Sequence, residues 1–102
     1  HPREPAAGLE PMKVTVAGIT FNRHHYDERG DVLYLNVGDP RPAAHGLETP
    51  EGHTVHYDTS WAVVGLTLLN VRWTLEREGE LTLTWPPARL GPDQLDAALA
   101  AA

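Results

Sequence analysis

Short runs of Val, Leu, Thr, Tyr and Trp, alternating with polar residues or locally continuous, recur along this chain between clusters of Gly, Pro and Asp. A period of two in runs this short predicts β-strands and not helices. The candidates are Val14–Ala17, Ile19–Tyr26, Val32–Val37, His53–Tyr57, Ala62–Leu69, Arg72–Glu76 and Leu81–Trp85. In the third, Leu33, Leu35 and Val37 share one face, while Tyr34 and Asn36 look the other way. Asp27-Glu28-Arg29-Gly30 has hairpin-loop chemistry, because Asp accepts bonds from nearby backbone N–H groups and Gly takes a positive φ. Arg77-Glu78-Gly79-Glu80 predicts a second hairpin, and Thr49-Pro50-Glu51-Gly52 a tight turn. Gly38-Asp39-Pro40-Arg41-Pro42 interrupts the pattern, since each proline removes a backbone donor. At Gly91-Pro92-Asp93 the period changes. Proline suits a first helical position, Asp the positive end of the helix dipole, and Leu95 and Leu99 then lie four apart in an Ala-rich run. So short a helix needs a surface on which to dock its Leu stripe, either the sheet or another subunit. The pattern predicts a mainly β fold, an antiparallel β meander sheet with one short C-terminal helix. That domain occupies residues 12–102. Residues 1–11, rich in proline and preceding Met12, are expected to form a flexible N-terminal extension.

At 102 residues with 41% hydrophobic content, the chain has material for one core. The longest apolar run, Trp61–Leu66, is far short of a bilayer span, so no membrane association is expected. The absence of cysteine fits a reducing compartment, and the expected location is cytoplasmic. A net charge of −6, with the eight basic residues scattered, argues against direct nucleic-acid binding. It suits a small basic protein partner, although acidity also serves solubility alone.

Candidate chemistry is sparse. Of the six histidines, only His24-His25 and the pair His53 and His56 are grouped. Neighbours on a strand face opposite ways, so a metal site would have to assemble across strands, for example from His24 or His25 with His56 and Asp58. Asp27, Glu28, Asp31 and Asp58 could supply acid–base chemistry from one cleft, but Asp27 and Asp58 sit where turns favour Asp. No phosphate loop or nucleophile motif is present, and Ser60 has no recognisable base. No catalytic residue, cofactor or metal ligand is therefore assigned. Trp61, Trp73 and Trp85, with Tyr26, Tyr34 and Tyr57, exceed what so small a core needs, which makes the tryptophans candidate interface residues together with Leu95 and Leu99.

Tyr26-Asp27, Asp31-Val32-Leu33-Tyr34-Leu35, Val55-His56-Tyr57-Asp58 and Val63–Leu69 together resemble a family of short prokaryotic domains of unknown function. Its pattern is Tyr-Asp, three residues, Asp-x-Leu-Tyr, later Asp-Tyr-Asp, then Val-Gly-Ile-Glu-Ile-Leu. The resemblance covers Ile19–Leu69. Trp61 stands where that family has a turn Gly, and Thr67 where it has Glu. The resemblance implies no activity; its members are suspected to be antitoxin-like halves of toxin–antitoxin pairs. The resulting expectation is a non-enzymatic protein-binding module that forms a homo-oligomer, in the first instance a dimer, and masks a basic partner with an acidic, aromatic face. Two alternatives stay open: a metal-dependent or acid–base enzyme using His24, His25, His56, Asp27 and Asp58, and a structural or small-ligand-binding homodimer.

Overall fold

The computed structural model describes residues 13–38 and 42–100; the expected extension over 1–11 and the Asp39–Arg41 part of the interruption lie outside them. The fold is mainly β. In chain order the elements are β1 (Val14–Val16), β2 (Ile19–Phe21), β3 (Arg23–Asp27), β4 (Val32–Asn36), β5 (His45–Glu48), β6 (Thr54–Tyr57), β7 (Val63–Leu69), α1 (Val71–Glu78), β8 (Leu81–Leu83), β9 (Ala88–Leu90) and α2 (Pro92–Ala100). A five-stranded antiparallel sheet in the order β3-β4-β7-β6-β5 is flanked by the two-stranded hairpins β1-β2 and β8-β9. The main sheet departs from a plain meander because β7 inserts beside β4, leaving β3 and β5 as its edges.

The single run expected over Ile19–Tyr26 is divided at Asn22, whose Oδ1 accepts the Gly38 N–H at 2.8 Å. The half before it turns back on β1 through Ala17 and Gly18, both at positive φ (53° and 83°), which matches the right-handed twist of a two-residue hairpin. The half after it pairs with β4 around the expected loop, where Asp27 Oδ1 accepts the N–H groups of Arg29 (3.1 Å) and Gly30 (3.4 Å). Leu33 and Leu35 are buried and Tyr34 is exposed, as alternation requires. Leu66, Leu68 and Val55 extend the same buried face across β7 and β6. A register shift between His56 and Tyr57, opposite β7, carries Tyr57 and Val63 against this core as well.

Two expectations are corrected. Arg72–Glu76 is not a strand but the middle of α1, and Arg77–Glu80 is not a hairpin loop but that helix's exit, closed by Gly79 at φ 83° with its N–H on the Leu75 carbonyl. Val71, Trp73 and Leu75 fit a period of two, yet Val71 and Leu75 also fit one helical face. A contact from 41 residues away settles the choice: Asp31 accepts the Arg72 N–H (2.8 Å) and Trp73 N–H (3.0 Å), capping the first turn. The helix buries Val71 and Leu75 and turns Trp73 outward.

The C-terminal helix forms as expected. Gln94 Oε1 accepts the Gly91 N–H at 2.7 Å, and Leu95, Ala98 and Leu99 are buried. They pack toward β1, β3 and β9 of the same chain. The chain's own fold, and not a second subunit, covers this stripe, so Leu95 and Leu99 offer no free interface.

Candidate functional site

The polar candidates do not come together in one site. His24 pairs in register with buried Leu35, and His25 with Tyr34, which it stacks against at 6.0 Å; the two histidines occupy opposite faces. His56 shares a 2.9 Å hydrogen bond with the Thr67 hydroxyl, so the residue standing where the resembled family has Glu is tied to an imidazole. Asp27 holds the first hairpin loop. Asp58 organises the next, its Oδ1 accepting the Ser60 N–H (2.8 Å), the Ser60 hydroxyl (2.7 Å) and the Ala62 N–H (3.0 Å). Among the described residues, no group of three His, Asp or Glu is arranged to hold a metal ion.

Two perturbed groups, Tyr26 and Asp31, serve the scaffold. Burial, then the hydrogen bond to Asp31 (2.6 Å), pushes the Tyr26 phenol from 10.0 up to about 12. Burial of Asp31 would raise its carboxyl. The Tyr26 hydroxyl, the Trp73 and Arg72 N–H groups and the Arg72 charge outweigh that and hold it below the ordinary 3.8. A raised phenol pKa in the folded state contributes stability below pH 10.0, and that contribution disappears as pH climbs toward about 12. Equilibrium unfolding across that window is therefore expected to show an alkaline loss of stability that Tyr26→Phe lacks; equal losses in both proteins would contradict this.

The remaining candidates, the tryptophans, separate into three environments. Trp85 packs partly buried against the core. Trp73, 54% exposed, lies on α1 with the Arg77 guanidinium 4.7 Å from its ring centre. Trp61, 53% exposed, ends the Asp58 loop with φ 65°, a left-handed conformation that costs a bulky side chain about 1–2 kcal/mol. Its indole lies flat on the His45 imidazole, with centroids 3.8 Å apart and planes 2° from parallel, and meets Tyr57 at 5.3 Å.

His45 begins β5, the edge strand absent from the sequence reading. Leu47 pairs in register with Val55, yet Val55 is fully buried and Leu47 is 45% exposed, because the covering layer stops short of the edge. Thr49 donates its N–H to the His53 carbonyl at 2.7 Å. By antiparallel alternation Leu47 also bonds toward β6, which leaves the backbone groups of Gly46 and Glu48 directed away from the sheet. One signal could have revealed β5: a tight turn at Thr49–Gly52 directly before a strand implies another strand before the turn. Residues 42–71 contain Glu48, Glu51 and Asp58 and no Lys or Arg, so this half of the sheet is acidic.

Comparison with protein families, curated proteins and solved structures finds no match to this chain. Among the described residues, no helix is long and apolar enough to cross a membrane.

Proposed function

We propose that the chain is a non-enzymatic protein-binding module that receives a basic, extended segment of a partner protein along β5. The observation carrying this reading is Trp61: a half-exposed indole held at a backbone conformation better suited to Gly, and fixed flat on His45 beside an open strand edge. Strained backbone that displays a large aromatic points to a contact surface. Outward N–H and C=O groups on Gly46 and Glu48 supply hydrogen bonds for an added strand. Leu47 and Trp61 seat an apolar side chain, and Glu48 with its acidic surroundings selects Lys or Arg. The antitoxin-like role is the concrete form of this reading, with a small basic protein in the cytoplasm as the partner. Self-pairing of β5 in a homodimer is the less favoured arrangement, because each copy carries a net charge of −6.

A short peptide alternating Lys with Val, titrated against the full chain and followed by tryptophan fluorescence, tests the proposal. Saturable binding that weakens as salt rises is expected, with no binding of the matched Glu/Val peptide. Equal binding of both peptides, or of neither, would count against it.

A further inference from the structure

A cleft lies away from Trp61, where the β5–β6 turn faces α1 and β8. It has a volume of about 290 Å³ and is lined by Glu51, His53, Asn70, Trp73, Glu78 and Thr82 among others. That volume falls just below the ~300–1,000 Å³ typical of small-molecule sites. His53 is only 5% exposed, and its Nδ1 accepts the Leu69 N–H at 3.0 Å. An imidazole that accepts at Nδ1 carries its proton on Nε2, and burial holds this ring in the neutral form against the pull of Glu51. No described residue accepts the Nε2 proton. It is therefore an unpartnered buried donor in a cleft that also presents carboxylates.

The chemistry of the lining restricts the occupant. The buried His53 lacks an acceptor, whereas the exposed carboxylates of Glu51 and Glu78 can accept from a donor. Glu51 already accepts the Thr84 N–H and hydroxyl, at 3.2 and 2.7 Å, which fixes its position. An ammonium ion can only donate and a carboxylate can only accept, but a hydroxyl does both. Asn70, Thr74 and Thr82 offer the same dual character, and the half-exposed Trp73 indole adds an apolar surface of the kind on which a ring's C–H face can rest. We propose that this cleft binds a small polyhydroxylated ring, the chemistry of a pyranose sugar. The site is independent of the β5 edge.

Solution NMR of the full chain, titrated in turn with the methyl glycosides of glucose, mannose and galactose, provides the test. At least one glycoside is expected to shift the His53 ring, Asn70 amide and Trp73 indole signals saturably. Glu78→Ala and Thr82→Val, both exposed positions, should each weaken that binding by about tenfold with the rest of the spectrum intact. Trp61→Gly should bind the glycoside unchanged, which separates this site from β5. The proposal is overturned if all three glycosides leave these signals unmoved at tens of millimolar, as expected of a cleft that holds only water. It is overturned equally if methylammonium or acetate occupies the cleft in their place, or if both cleft variants bind as the parent does.

Discussion

Trp61→Gly is expected to weaken binding of the basic peptide roughly thirtyfold or more while leaving the folding free energy within about 1 kcal/mol of the parent. Removing the side chain relieves a left-handed backbone of about 1–2 kcal/mol of strain, since φ 65° is natural for Gly. The same change gives up the stack on His45, worth about 0.5–1.5 kcal/mol, and some burial against Tyr57. These effects oppose each other and are similar in size. A partner, by contrast, loses its aromatic anchor, and anchors of this type commonly carry 2 kcal/mol or more of binding, roughly a thirtyfold loss of affinity. Urea unfolding alongside peptide titration by calorimetry, which does not depend on the Trp61 fluorescence, reads both quantities. A drop of several kcal/mol in stability would make Trp61 a structural residue, and retained binding would move the interface elsewhere.

Asp31→Ala carries the largest expected effect on the fold, a loss of about 3 kcal/mol. One carboxylate caps the Arg72 and Trp73 N–H groups at the start of α1 and accepts the buried Tyr26 hydroxyl, and its own backbone sits at φ 58°. Losing a cap costs about 1 kcal/mol, and an unpartnered buried hydroxyl about 1–3 kcal/mol more. Asp31→Asn should cost clearly less, since Asn tolerates the left-handed region and still offers an oxygen to the helix. Chemical denaturation of the two variants decides the matter. An Asp31→Ala protein within 0.5 kcal/mol of the parent, or an Asn variant no better than Ala, would contradict this account of why residues 71–78 are helical.

That helix also marks where the sequence could mislead. β3, β4 and β7, the Asp27 loop, the Thr49–Gly52 turn and α2 were legible because their causes are local: alternation, an Asp acceptor, a Gly, a Pro at the first helical turn. Val71–Glu78 carries two compatible periods, and the cap that selects the helix comes from Asp31, far away in the chain. β5 and β9, as His-Gly-Leu-Glu and Ala-Arg-Leu, have little strand character of their own and are held by neighbours already in place. Trp61, Trp73 and Trp85 were recognisable as more aromatic surface than the core needs, but which of them face solvent depends on α1 and on the left-handed loop residue. The pairing of Trp61 with His45 crosses the β5–β6 hairpin and could not be read without β5. The His/Asp candidates followed composition. Their side chains are committed to separate turns and strand pairs.

Amide hydrogen exchange on β5, with and without the Lys/Val peptide, tests the central claim most directly. The account predicts that the Gly46 and Glu48 amides, directed away from β6, exchange freely in the chain alone and become protected with peptide bound, while Leu47 changes little. Unchanged exchange at Gly46 and Glu48 under saturating peptide would show that no strand is added there, and the proposal that β5 is the binding edge would be wrong.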